Sequence, residues 1–494
     1  MRLKDVAQYL GVDSPAVPDI SVKNLQYDSR CIQPEDVFIA IVGTASDGHD
    51  YIDMAVANGA SALIVENPEA ARNADIPVLV CSDTRRAVAL LAMLWHGFPD
   101  RKLHIIGVTG TNGKTTTTTL VKYLWEREGI KSGLIGTVRN MSGDRVLPAT
   151  HTTPEPLQLA ELLDIMVRDG CQNVVMEVSS HALKQERVDA IHFDGAAFTN
   201  MTQDHLDFHK TFEDYLQSKL MLFKMLDRGN TSKKFGIINI DDPVAPDFLM
   251  KTKVPVMTYG IEKPATLQAV DYHLTAKGTT FTLLYNGNEY PVDIPLTGKF
   301  NVYNCLAAIG ITLAEGMPLA NICKHLANAP QIPGRFEKID CGQDFTVIVD
   351  YAHTPDGLKN VLATAREIAE NRLITVFGCG GDRDQTKRPI MGEFAAKYSD
   401  YAIITSDNPR TEDPMFIIRQ VEKGVKPLTD QYAIEENRRK AIEKALAMAK
   451  KGDVVIIAGK GHEDYQLVNG KVLEFDDRKV AREFLWAARQ NRKK

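Results

Sequence analysis

The stretch IIGVTGTNGKTTTTTLVKYLW, residues 105–125, decides how the rest of the chain is read. Its apolar start, Ile105 to Val108, reads as a strand, and Gly110 to Gly113 as a turn. From Lys114 onward a helix carries Leu120, Val121, Leu124 and Trp125 on one side. A strand running through glycines into a helix lets backbone N–H groups close around phosphates at the positive helix end. Lys114 can reach the β and γ oxygens of a nucleotide there, and the Thr115 hydroxyl can ligate Mg²⁺. The strict phosphate-loop pattern would need glycine at 108, where this sequence has Val108. Glu177 ends a second strand, NVVMEV, at the place where a nucleotide enzyme sets a further Mg²⁺ contact.

Around this motif the chain alternates strand and helix. At 494 residues it exceeds what one core serves. The expected architecture is α/β in three domains: residues 1–100, a central P-loop-type ATPase domain with a mostly parallel sheet at 101–332, and a Rossmann-like domain at 333–494. The first holds the strands DVFIAIVG and ASALIVE with a helix, YIDMAVANG, between them. Within the second, residues 258–296 read as antiparallel strands with the tight turn NGN. The third has the strands FTVIVD, RLITVFG, YAIITS and DVVIIAG, with a helix, ENRRKAIEKALAMAKKG, closed by its terminal glycine. Each of these strands runs into a polar or glycine-rich loop: DYAHTPDG, GCGGDRD, SDNPR and GKGHED. Parallel strands bind ligands at that end.

Composition narrows the class. The chain is 44% hydrophobic and 25% charged, with a formal charge of −6, so electrostatics give no case for nucleic acid or an anionic membrane as partner. Seven scattered cysteines form neither a C-x-x-C pair nor a zinc spacing. No apolar stretch reaches the roughly 20 residues of a membrane span. A cytoplasmic protein with no membrane partner is expected.

One lysine stands out of pattern. In TFEDYLQSKLMLFKML the apolar stripe is Phe212, Tyr215, Leu216, Leu220 and Phe223, and its i+7 member is Lys219. Such a lysine either snorkels at the edge of the stripe or is buried, where its pKa falls and leaves a nucleophilic amine. That amine can take up CO₂ as a carbamate, an oxygen ligand for a metal. Just upstream, DHLDFH offers Asp204, His205, Asp207 and His209, whose histidines read by spacing as loop residues.

Taken together, these segments resemble the Mur ligase family of peptidoglycan synthesis, over essentially the whole chain. The resemblance runs in order through YDSR, GTASDGHDYI, VTGTNGKTT, HTTPE, MEVSSHAL, DHLDFH, YLQSKLMLF, GKFNVYN, GRFE, DYAHTPD, FGCGGDRD, SDNPR and AGKGHEDYQ. It implies an ATP-dependent ligase that phosphorylates a carboxylate and lets an amine attack the acyl phosphate. Lys114, Glu177, His205 and Lys219 are then catalytic. Thr115 and Glu177 serve one Mg²⁺; His205 and the Lys219 carbamate serve a second. ATP falls to Gly110, Thr111, Asn112, Gly113, Lys114, Thr115, Thr116, Asn304, Arg335 and Asp350. Tyr27 and Ser29, with Thr44 to Ser46, meet the uridine diphosphate of UDP-MurNAc-L-Ala-D-Glu, and Thr152, Thr153, Ser179, Gln185 and Arg187 hold its muramoyl dipeptide.

Within the family the run DNPR accompanies meso-diaminopimelate as the amino acid added. Asp407, Asn408, Pro409, Arg410, Arg383, Gly459 and Glu463 form that site by resemblance. Diaminopimelate carries one carboxylate more than lysine, and a guanidinium grips a carboxylate through two parallel hydrogen bonds. Arg410 instead paired with Asp407 or Glu412 would leave no such role. A monomer acting on small molecules is expected. A lysine-adding, other Mur or folylpolyglutamate-type ligase stays open as the alternative, as does a nucleotide switch with a purely conformational output.

Overall fold

The computed structural model describes residues 1–12, 17–43, 46–202, 204, 206–228 and 234–492, with backbone alone at 206, 207, 491 and 492. Three parallel-rich sheets follow one another along the chain. The first has four parallel strands, Asn24–Gln26, Asp36–Ile39, Ala62–Val65 and Val78–Val80. The second has eleven strands. Its parallel centre runs Ser132–Ile135, Asn173–Glu177, His104–Thr109, Gly195–Phe198, Phe235–Asn239, Val256–Gly260 and Leu267–Thr275. The third has six strands, with Thr346–Asp350, Val454–Ala458, Leu373–Phe377 and Tyr401–Ile404 adjacent and parallel in that order.

Strand periodicity explains why the two larger sheets are covered on both faces. Successive side chains point to opposite sides. Ile105, Val174, Met176, Ala196 and Ile238 thus enter one core with the helices Pro156–Arg168 and Phe212–Met225. Ile106, Val108, Val175, Ala197 and Ile237 enter another with the helices Lys114–Arg127 and Lys299–Ala314. The third sheet divides likewise: Ile348, Ile404 and Ile456 on one side, Val347, Ile403 and Val455 on the other. Among the described residues no helix is long and apolar enough to cross a membrane.

The structure departs from the sequence reading at several places. Val256–Gly260 joins Leu267–Thr275 in parallel, so antiparallel pairing begins only at the hairpins 267–285 and 278–294. The NGN turn is as expected, with Asn286 and Gly287 both at positive φ, 49° and 75°. The helix expected to run to Gly452 stops at Met448, and Gly452 turns the chain four residues later. A strand at Tyr432–Ile434 precedes it. Phe212, read as part of a buried stripe, is 41% exposed, so the stripe starts at Tyr215. His209 is no loop residue: it ends the short helix Leu206–His209 and is fully buried against Ser180, with its Nε2 2.8 Å from the hydroxyl.

One buried ion pair ties the third domain's ligand loops together. Arg438 starts the helix Arg438–Met448 and binds Asp477 through two N–H···O bonds, 2.8 and 2.7 Å, with both side chains fully buried. It also donates to the carbonyls of Ser406 and Ala458, each directly before a ligand loop. Removing one partner strands the other charge. Asp477→Ala should therefore lower unfolding stability by about 3–5 kcal/mol, measured by urea titration. A double replacement by apolar residues of similar volume should recover most of that loss.

Candidate active site

The phosphate loop is shaped by two glycines that no other residue could replace. Gly110 (φ +146°) and Gly113 (φ +87°) occupy backbone conformations side chains disfavour. A Cβ on Gly110 would lie 1.8 Å from Thr199 Oγ1, and one on Gly113 2.3 Å from Asn304 Oδ1. The strand continues unbroken through Val108, so the missing glycine there costs nothing: the turn begins at Gly110. The loop is pinned from behind by Thr199 and Asn200. Thr199 Oγ1 donates to the Asn112 carbonyl at 2.6 Å, and the Asn112 amide donates to Asn200 Oδ1 at 2.9 Å. Neither residue was legible as functional; the TN pair at the end of GAAFTN was the available signal.

Two lysines converge on one oxygen. Lys114 Nζ and Lys219 Nζ each lie 2.8 Å from the Gly110 carbonyl. Lys219 is 1% exposed, and its Nζ sits 4.4 Å above the Tyr215 ring. Burial, then the neighbouring Lys114 charge, lower its pKa well below that of an ordinary lysine, with Asp204 opposing. Burial lowers Lys114 as well, against the pull of Glu177. Two cations cannot share one carbonyl cheaply, and the lowering is the stronger at Lys219. The snorkelling alternative for Lys219 is excluded by its burial.

Glu177 is buried at the carboxyl end of its strand, level with the phosphate loop. Its Oε2 accepts from Thr115 Oγ1 and Thr137 Oγ1, both at 3.0 Å, and its Oε1 from the Thr137 amide at 2.9 Å. A hydroxyl and a carboxylate side by side suit a hard oxygen-seeking cation. Among the described residues no cluster of three or more His, Cys, Asp or Glu side chains is set for a metal; the fit to Mg²⁺ rests on oxygen donors completed by phosphate. The His205 and Thr44 assignments lie outside the described residues, as does the Asp207 side chain.

Arg335 comes from the third domain and reaches this centre. Its Nη2 lies 3.3 Å from Thr115 Oγ1, its guanidinium stacks 4.4 Å from the Tyr351 ring, and its buried Nε has no hydrogen-bond partner among the described residues. Asp350 holds the loops beside it, accepting from the Phe336 and Ala352 amides at 2.6 and 2.7 Å. Burial raises its carboxyl pKa despite Arg335.

The residues expected to hold the dipeptide lie in one network. Thr152 Oγ1 contacts Thr137 Oγ1 at 2.9 Å. Thr153 Oγ1 donates to the Glu177 carbonyl at 2.9 Å and accepts from the Ser179 amide at 3.0 Å. Arg187 binds Gln185 Oε1, the Thr153 carbonyl and Glu155. Tyr27, from the first domain, feels both Glu155 and Arg187; its pKa is pushed up to about 12, first by burial. Ser29 is buried, its hydroxyl 3.3 Å from Met54 Sδ.

Across the domain boundary lies a cavity of about 910 Å³. Thr202 and Asp204 line it from the central domain; Arg383, Asp407, Asn408, Arg410, Gly459 and Glu463 from the third. Arg410 makes no ion pair among the described residues: its Nη1 donates to the Gly381 carbonyl at 2.8 Å and lies 3.5 Å from that of Asn408. Glu412 is taken by the fully buried Arg388 through two bonds, 2.9 and 2.8 Å, and Asp407 lies 3.7 Å from Lys460. The loop-internal pairing of Arg410 is thereby removed. Glu463 Oε2 accepts from Asn408 Nδ2 at 2.9 Å and from the fully buried Lys460 at 3.1 Å. Lys460 was missed in the sequence, although it sits inside GKGHED. Arg383 is exposed at the rim.

Comparison with known proteins agrees along the chain. Residues 21–96 match the family model described as Mur ligase family, catalytic domain; 108–312 match the Mur ligase middle domain, and 334–461 the Mur ligase, glutamate ligase domain. A UDP-N-acetylmuramoyl-L-alanyl-D-glutamate–2,6-diaminopimelate ligase of Syntrophomonas wolfei subsp. wolfei is 47% identical over 487 residues, covering 98% of this chain and 99% of the relative. The ligase of the same description from Geobacillus kaustophilus is 47% identical over 467 residues, 94% of each. A solved structure of a ligase so described superposes with a TM-score of 0.70 at 32% identity, covering 98% of this chain and 99% of the other.

Proposed function

This chain belongs to the Mur ligase family, and we propose from that premise that it joins diaminopimelate to UDP-MurNAc-L-Ala-D-Glu at the expense of ATP. The observation that carries the reading is Arg410, a guanidinium with no carboxylate partner among the described residues, in a cavity also lined by Thr202, whose carbonyl accepts from Thr111 Oγ1 of the phosphate loop. In this reading residues 1–100 hold the uridine diphosphate, 101–332 the ATP and 333–494 the amino acid. The protein works in the cytoplasm as a monomer.

Two anions must meet for the acceptor carboxylate to be phosphorylated. The loop amides from Gly110 to Thr115 and the Lys114 ammonium draw in the γ-phosphate and offset the charge that builds there. Mg²⁺, when bound by Thr115 and Glu177 and by a carbamate on Lys219 with His205, supplies further screening. Arg335 adds a positive charge from the third domain. Thr153, Ser179 and Arg187 hold the acceptor dipeptide so that its carboxylate faces the phosphate. Arg410 takes the distal carboxylate of the incoming diacid, and Glu463 with the Gly459 carbonyl takes the distal ammonium.

Arg410→Ala should raise KM for diaminopimelate by roughly 10- to 150-fold, the equivalent of about 1.5–3 kcal/mol for a charge-assisted bond, and leave KM for ATP nearly unchanged. The assay is ATP-dependent phosphate release with each amine in turn. Equal wild-type rates with L-lysine and diaminopimelate would defeat the assignment. Phosphate release indifferent to any amine would favour a nucleotide switch.

A further inference from the structure

The loop DYAHTPD lines the same cavity as Asp407, Asn408 and Arg410, and its histidine faces that cavity. His353 Nδ1 is 2.8 Å from the Tyr351 carbonyl. A carbonyl can only accept, so Nδ1 must carry the proton, which leaves Nε2 of the neutral ring with a free lone pair. That nitrogen has no hydrogen-bond partner among the described residues. The ring is held edge-on to Tyr351, centroids 4.6 Å apart, while Lys387 Nζ fixes the His353 carbonyl at 3.2 Å.

The ligation needs a base at this place. An amino acid arrives as an ammonium ion, and no lone pair is available for attack until a proton leaves. Two other groups lining the cavity are poorly suited. Glu463 already accepts from Asn408 and Lys460, and Tyr351, its pKa pushed up to about 12 mainly by burial, holds its proton at neutral pH.

We propose that His353 Nε2 accepts the proton of the attacking amine. This rests on the ligase reading above and adds a catalytic residue to it. Nε2 first takes one proton from the ammonium, which frees the nitrogen lone pair. The nitrogen then forms its bond to the acyl carbon, the C–O bond to phosphate breaks, and the phosphate leaves with the electron pair and picks up the second N–H proton. The imidazolium returns the first proton to solvent, so atoms and charge balance.

The surroundings keep the ring neutral and ready. Its pKa is lowered, first by burial and then by Lys387, with Arg335 adding to this; Asp204 and the bond to Tyr351 act the other way. His462, beyond Tyr351, is lowered to about 3 by burial and Arg335 and so stays neutral beside it. A lowered value means that the base form persists to mildly acidic pH.

The test pairs two nucleophiles. Hydroxylamine is a far weaker base than an alkylamine, is already neutral at pH 7.5, and needs no help losing a proton. With ATP and UDP-MurNAc-L-Ala-D-Glu, His353→Ala and His353→Gln should form hydroxamate at near wild-type rates. Both should lose about 10²-fold or more in amide formation with diaminopimelate. Their remaining amide rate should climb with pH well beyond the point where the wild type levels off. Amide and hydroxamate falling together in both variants, or neither falling, would overturn the proposal. A wild-type protein forming no hydroxamate at all would instead sink the ligase reading beneath it.

Discussion

Lys219→Ala should lose roughly 10²–10³-fold in amide formation, and millimolar acetate or formate should restore part of the rate. The reason lies in the crowding at Gly110. Two lysine nitrogens lie 2.8 Å from one carbonyl oxygen, and the more buried of them has its pKa driven well down. In the proposed reading the amine there takes up CO₂, and the carbamate would put two oxygens where an alanine leaves space. A small carboxylate can fill the same space. Lys219→Met should be equally impaired yet refuse rescue, because its unbranched stem occupies the gap. A folded, nucleotide-binding Lys219→Ala variant that acetate and formate leave inactive would show that Lys219 acts as a plain amine. Phosphate release with and without the added acid is the measurement.

Lys114→Met should abolish turnover, by about 10³-fold or more, with the fold intact. Lys114 is the one ammonium rooted in the phosphate loop itself, and its Nζ already rests on the Gly110 and Thr111 carbonyls at 2.8 and 2.9 Å. It has only to swing outward to meet phosphate. Lys114→Arg should fail as well, since a planar fork cannot occupy a site shaped for a compact charge. Near-normal phosphate release by either variant would remove the phosphate-loop assignment. Circular dichroism and a melting curve separate lost chemistry from lost structure.

Local pattern carried much of this. The strand–turn–helix at 104–127 was legible because every contact that defines it is near in sequence and obeys a simple period. Lys219 was visible as a charge in an apolar stripe. What stayed hidden depends on distant partners. Thr137 meets Glu177 across 40 residues, Thr199 meets Asn112 across 87, and Lys460 meets Asn408 across 52. Nothing in a threonine or lysine by itself announces such a meeting. Strands of three residues, such as Asn24–Gln26 and Val78–Val80, are too short to show alternation and exist because longer neighbours pair with them. The helix at 438 stops at Met448, four residues short of the glycine that seemed to mark its end.

Arg410 itself sits at φ +54°, its amide bonded to the Leu467 carbonyl at 3.0 Å and its own carbonyl accepting from Asn469 at 2.6 Å. The hairpin 465–474 therefore clamps the main chain on either side of it. In the proposed reading the angle at which residue 410 meets its ligand is thus set from a segment almost sixty residues away, so the preference for a diacid would draw on the ribbon as well as on the guanidinium.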